Sequence, residues 1–224
     1  YKGTDLFAEE GAADQFATVA ALYAEVCRVV STKDITSIED LKGKRVSVGD
    51  AGSGVEFNAR QILEAYDITF EDISVNNLGF GDSSDALKDG KIDAFFCTAG
   101  APTTAIVELA TTNDINLLAI DDEHAAKLAE AYPFYTTYPI PGGSYKGVDN
   151  DVQTVAIKAT LIASPKLSED VVYNLTKAIF ENKEEIAGAH AKGEELSTEY
   201  AVSGISVPFH PGAEKYFKEV GALK

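Results

Sequence analysis

Polar and apolar positions alternate along some stretches of the chain and recur every three or four residues along others. The clearest run is 44–66. Val46 and Val48 alternate with polar neighbours as in a short strand. Gly49, Gly52 and Gly54 follow, and then Val55, Ala59, Ile62, Leu63 and Tyr66 fall on one helical stripe. Ser53 stands where an N-cap belongs, and Glu56 completes a capping box. The segment reads strand, glycine turn, helix. Upstream, Phe16, Val19, Ala20 and Tyr23 predict a helix over 12–23, Glu25–Val30 a strand, and Ile35, Ile38 and Leu41 the inner side of a short helix. Strands are expected at 73–75, 92–98, 117–120 and 154–163.

Further helices are expected from Asp82 and Asp85 to Gly90, and after Pro102, placed in a first turn where its missing N–H costs nothing. Others cover 121–131 and 168–182, the latter with Val171, Val172, Leu175 and Ile179 as its stripe, then 184–192 and 213–220. The block 132–145, aromatic and carrying Pro133, Pro139 and Pro141, reads as an extended connector. Strands alternating with helices predict an α/β fold with a mostly parallel sheet flanked by helices. Ligands of such sheets sit beyond the carboxyl ends of the strands. The turns at 49–54 and 99–102 both follow strands directly, which points to one shared crevice.

A helix start offers unpaired N–H groups and the positive end of the dipole, which together hold an anion. The residues at 52–55 fit that role. They fit equally well a plain helix cap on a βα loop, and both readings stand on the local pattern. No Lys-Ser or Lys-Thr pair follows Gly54, and the glycine spacing misses the dinucleotide fingerprint, which argues against a nucleotide site.

The 224 residues are 45% apolar and 25% charged, as in ordinary globular proteins, and their net charge is −17. A surface that negative repels nucleic acid and anionic lipid. An anionic ligand then needs a local positive field, and with only Arg28, Arg45 and Arg60 as arginines, backbone amides are the obvious source. No apolar run approaches the ~20 residues of a membrane span. The sequence has no Met, so the native start is expected upstream. Cys27 and Cys97 make neither a disulfide framework nor a zinc site and read as two buried free thiols. His124, His190 and His210 lack metal-ligand spacing, so no metal and no cofactor is expected.

The chain resembles the solute receptors of tripartite ATP-independent periplasmic (TRAP) transporters, in the TAXI branch. The resemblance rests on Ala21-Leu22-Tyr23-Ala24-Glu25-Val26, Asp40-Leu41-Lys42-Gly43-Lys44-Arg45-Val46 and Gly49-Asp50-Ala51-Gly52-Ser53-Gly54. It continues through Ala86 to Ala94, Thr98-Ala99-Gly100-Ala101-Pro102 and His210-Pro211-Gly212-Ala213-Glu214-Lys215-Tyr216, in order along nearly the whole chain. Two departures stand out. Family members begin further upstream, with a threonine- and glycine-rich segment, and they carry Thr where Val55 follows Gly-Ser-Gly.

The resemblance implies a two-lobed binding protein of the periplasmic type II kind, which hands a small carboxylate to a TRAP permease and performs no chemistry. One lobe would be 43–150. The other would comprise 1–42 and 151–224, with hinge strands near 25–30 and 154–163. The ligand would belong to the glutamate, glutamine or 2-oxoglutarate class, and the location would be periplasmic. Gly52, Ser53, Gly54 and Val55 would donate to the carboxylate. Ala99, Gly100, Ala101 and Pro102, a plain βα turn without the resemblance, would line the same lobe. Tyr23 would reach the cleft from the hinge or simply end a helix half-buried. Tyr132, Phe134, Tyr135 and Tyr138 would shape the cleft edge or a permease-facing surface, or pack in the core. The competing reading is an enzyme with Ser53 or Cys97 as nucleophile. It needs a base, and no His lies near either in sequence. The G-x-S-x-G elbow is also missing.

Overall fold

The computed structural model describes Gly3, Glu9 and residues 11–224. The chain divides into two compact units, one continuous (Glu25–Ile157) and one made of Tyr1–Ala24 with Lys158–Lys224. Residues 25–42 therefore cluster with the continuous unit.

Strand β1 (Ala17–Thr32) is the first element. It replaces the helix expected over 12–23. The expectation failed because β1 is covered on both faces, with Val19, Ala20, Val26, Val29 and Val30 all buried. A strand of that kind loses its alternation, and a short apolar run then matches a helical template as well. Backbone pairing fixes the extended form: Thr18 N donates to Pro208 O and His210 N to Thr18 O, at 2.9 and 2.8 Å.

The strands of the continuous unit belong to a seven-stranded sheet of order β3-β2-β4-β1-β7-β6, with β5 also paired to β1. They are β2 (Arg45–Ser47), β3 (Ser74–Asn76), β4 (Ala94–Ala99), β5 (Ile115–Leu117), β6 (Thr136–Ile140) and β7 (Val152–Ala163). β2 pairs in parallel with β3 and β4. β1 with β4, β1 with β5, and β6 with β7 are antiparallel. The sheet is therefore mixed, with a parallel half, rather than mostly parallel. The long strands β1 and β7 pass through both units, which the βαβ pattern of the shorter elements does not reveal.

Four helices join these strands: α1 (Gly54–Ala65), α2 (Phe80–Lys88), α3 (Thr104–Thr112) and α4 (Asp122–Ala131). Ala59, Ile62 and Leu63 of α1 are buried against a core that includes Val46, Val48 and Phe96. A bidentate contact clasps the starts of β2 and β4: Arg45 Nε and Nη2 donate to Asp93 Oδ2 and Oδ1 at 3.0 and 2.6 Å. Tyr135 is core, and its hydroxyl joins Asn58 and Gln61 of α1, at 2.7 and 2.8 Å. Phe134 is exposed.

The other unit holds α5 (Glu169–Glu181), α6 (Lys183–Ala189), α7 (Thr198–Val202) and α8 (Pro211–Glu219), with a 3-10 turn at Ala191–Glu195. Phe217 is fully buried among Phe180, Phe209 and Tyr216. Gly212 lets α8 reach α5, since a Cβ there would stand 2.2 Å from the Glu169 carbonyl oxygen. The stripe of α5 is phased differently from the expectation. Val172 and Thr176 face inward, while Val171 and Leu175 are exposed.

Candidate functional site

Gly49 follows β2 with φ at +90°, and a Cβ placed there would meet Val55 Cβ at 2.7 Å. Only glycine combines that conformation with that approach. The turn then closes on itself. Ser53 N donates to Asp50 O at 3.0 Å, and Ser53 Oγ accepts from Glu56 N at 3.3 Å. Glu56 Oε2 in turn accepts from Gly52 N at 2.6 Å. The box thus reaches one residue further back than the N-cap, and a carboxylate of the protein itself occupies an anion's place at this turn. That corrects the expectation for two donors. The Gly52 and Ser53 amides are engaged internally, which leaves the Ser53 hydroxyl hydrogen and the amides of Gly54 and Val55, the first two positions of α1.

The second turn is built otherwise. β4 ends at Ala99, and Gly100, Ala101 and Pro102 lead to Thr103, the N-cap of α3. Pro102 therefore precedes the cap rather than lying in the first helical turn. The Ala101–Pro102 peptide is cis. Thr103 leaves the helix start without a side-chain cap, because its hydroxyl donates backwards to Gly100 O at 2.8 Å. Its amide donates to the Tyr145 hydroxyl at 3.2 Å.

Beneath this turn lies Arg28, 1% exposed. Nη1 donates to Thr103 Oγ1 at 2.6 Å, Tyr145 Oη at 2.8 Å and Gly100 O at 3.4 Å. Nη2 donates to Ala99 O at 2.8 Å and approaches Cys97 Sγ at 3.6 Å. Nε is buried and has no partner among the described residues. All these acceptors are neutral. Burial pushes the Cys97 thiol up, with the Arg28 charge pulling the other way, and burial pushes Cys27 up to about 12. Sequence reasoning passed over Arg28, Thr103 and Tyr145. A usable signal was present, since Arg28 is a cation set inside the apolar run from Val26 to Val30.

The turns after β2 and β4 leave adjacent strands that run in parallel, with Val46 opposite Ala94 and Ser47 opposite Phe95. They therefore emerge on the same, carboxyl edge of the continuous unit, where ligands of α/β sheets bind. Tyr23 belongs to the other unit. There it lines a cavity of about 390 Å³ with Leu22, Ile179, Ile186 and Leu196, beside the ion pair Lys192–Glu195.

The histidines have local duties. His124 stacks on Tyr66 at 3.5 Å and pairs with Asp121, His190 caps the 3-10 turn, and His210 caps α8. Among the described residues no group of three His, Cys, Asp or Glu could hold a metal ion, and no helix is long and apolar enough to cross a membrane.

The profile of the NMT1-like family matches residues 1–221. Among solved structures, the chain is similar to the periplasmic aliphatic sulphonate binding protein SsuA from Escherichia coli. The identity is 14%, the TM-score 0.50, and the match covers 91% of this chain and 59% of that one. A putative periplasmic sulfonate-binding protein from Methylobacillus flagellatus matches at 15% identity and TM-score 0.47, over 92% of this chain and 62% of that one. An L-arginine-bound amino acid ABC transporter substrate-binding protein from Streptococcus pneumoniae matches at 14% and 0.43, over 94% and 62%. The chain thus spans about three-fifths of the length of the structures it matches. The fold is the α/β arrangement of type II periplasmic binding proteins, a central sheet flanked by helices.

Proposed function

The chain belongs to the NMT1-like family, and from that premise we propose that it is the solute-binding component of a membrane transport system, working outside the cytoplasm. The observation that carries the reading is the pair of turns leaving the adjacent parallel strands β2 and β4 on one edge of the sheet. One offers the Gly54 and Val55 amides at a helix start. The other, Ala99 to Pro102, sits on a buried guanidinium. Together they suit a small anion. Within this reading the solute is a carboxylate of the glutamate, glutamine or 2-oxoglutarate class, and the receptor is of the TRAP type, TAXI branch, feeding a TRAP permease. The stretches near 25–30 and 154–163 serve as its hinge, where the chain passes between the unit of Glu25–Ile157 and the unit of Tyr1–Ala24 with Lys158–Lys224.

An enzymatic reading finds little support in the two candidate nucleophiles. Ser53 Oγ accepts a hydrogen bond from the backbone amide of Glu56, and the Cys97 thiol is buried with its pKa raised by that burial. A nucleophile needs the opposite environment, an adjacent base or a lowered pKa.

The test is a thermal-shift and calorimetric titration with L-glutamate, L-glutamine, 2-oxoglutarate and ethanesulfonate, the last because the Escherichia coli relative is named for sulphonates. A bound solute at 100 times its Kd stabilises the folded state by about 2.7 kcal/mol. A flat response to all four at millimolar concentration would overturn the reading.

A further inference from the structure

We propose that Arg28 is a positioning and charge-selecting residue of the solute site, acting from beneath the turn that leads into α3. The inference rests on the solute-binding reading given above, and it concerns a side chain that contacts the turn rather than the crevice surface.

The physical case begins with cost. A guanidinium is a permanent cation, and burying one is strongly unfavourable unless charge and hydrogen bonds compensate it. Arg28 is 1% exposed, its acceptors are two hydroxyls, two carbonyls and a thiol, and Nε has none among the described residues. Glu25, whose charge also reaches the Cys97 thiol, makes none of these hydrogen bonds. An apolar side chain of similar volume fills such a place at lower cost. A buried cation with neutral partners is the arrangement expected where the balancing charge arrives with a ligand.

The geometry says where. Arg28 grips the N-cap of α3 directly through Thr103 Oγ1 and indirectly through Tyr145, whose hydroxyl accepts from both Arg28 Nη1 and Thr103 N. It also holds the carbonyls of Ala99 and Gly100, so the whole turn is tied from below. With the Thr103 hydroxyl directed to Gly100, the nine-residue α3 has no side-chain cap. An anion at that end would fill the vacant cap position with the guanidinium behind it, in surroundings where charges interact more strongly than in water. The solute class that follows is an anion with a compact oxygen-bearing head, a carboxylate or a sulfonate, and not a neutral or cationic solute.

The test compares wild type with Arg28→Met, Arg28→Lys and Tyr145→Phe on the whole chain, each titrated with L-glutamate, 2-oxoglutarate and ethanesulfonate. For the probes wild type binds, Arg28→Met is expected to weaken binding at least about tenfold, and Arg28→Lys to recover to within about threefold of wild type. Tyr145→Phe, which keeps the buried ring and loosens only the turn, is expected to fall between them. Recovery by lysine separates a charge role from mere packing, because lysine cannot rebuild the fork of hydrogen bonds. A folded Arg28→Met that binds within about twofold of wild type, or an Arg28→Lys no better than Arg28→Met, overturns the proposal. Should Arg28→Met not fold, a Tyr145→Phe that binds like wild type overturns it instead. A wild type inert to these three probes and to L-glutamine overturns the solute-binding reading itself, whereas one that binds L-glutamine alone, or binds the anions with indifference to Arg28, overturns only the present proposal.

Discussion

Gly49 and Gly54 lie five residues apart in one turn, yet the structure assigns them opposite responses to the same substitution. At Gly49, φ is +90°, and an added Cβ would stand 2.7 Å from Val55 Cβ, 2.9 Å from Val55 Cγ1 and 3.1 Å from Ser53 Oγ. Holding an L-residue in the left-handed region costs roughly 1–2 kcal/mol, and forcing a methyl into a filled space costs about 1–3 kcal/mol more. Gly49→Ala should therefore lose about 2–5 kcal/mol, a large share of the 5–15 kcal/mol typical of a folded protein. At Gly54 the backbone is helical and nothing lies within 4 Å of the added atom. Gly54→Ala should gain up to about 1 kcal/mol by restricting the unfolded chain. Urea unfolding followed by circular dichroism reads both, as shifts of midpoint at constant slope. A Gly49→Ala variant within about 0.5 kcal/mol of wild type, or a Gly54→Ala variant less stable than Gly49→Ala, would refute the assignment of the turn's constraint to Gly49.

Two further outcomes are expected. The Arg45 guanidinium holds the Asp93 carboxyl below the usual carboxylate range, with partial burial opposing it. A lowered folded-state pKa means the clasp stabilises fully above the ordinary carboxylate value of about 3.9 and is lost as the pH falls through the lowered one. The stability gap between wild type and Asp93→Asn should then be widest near neutrality and close in acid, and urea midpoints at a series of pH values that show a constant gap would contradict this. Gly212→Ala should destabilise the unit that holds α5 and α8 by about 3 kcal/mol or more, since its Cβ meets rigid backbone at Glu169. Differential scanning calorimetry that finds its Tm unchanged would contradict the close approach.

Local chemistry made the 44–66 segment legible. Alternating valines, glycines and the Ser53/Glu56 pair are short-range signals, and strand, turn and helix lie where those signals put them. The same holds for α5, whose Ser168 accepts from Val171 N, and for the two buried free cysteines. What local chemistry does not carry is long-range. The extended form of 17–23 depends on backbone partners near 207–210, about 190 positions away. Strand direction in the long elements is likewise set by non-adjacent partners. α5 is apolar on two faces, so its periodicity leaves open which one turns inward. At the candidate site the missing piece was one of geometry: whether Glu56 turns to its own loop or leaves it open is a matter of rotamer and not of residue type. Arg28 was overlooked for a different reason. A tally of arginines weighs supply, whereas its place in an apolar run is what marks it out.

The register of β1 against β4 carries one more implication. Cys27 lies opposite Thr98 and Cys97 opposite Arg28, and residues directly opposite share a face of the sheet while neighbours along a strand do not. The two sulfurs thus sit on opposite sides of a hydrogen-bonded layer, where no rotamer change can join them. A change from reducing to oxidising surroundings would therefore form no bond between Cys27 and Cys97.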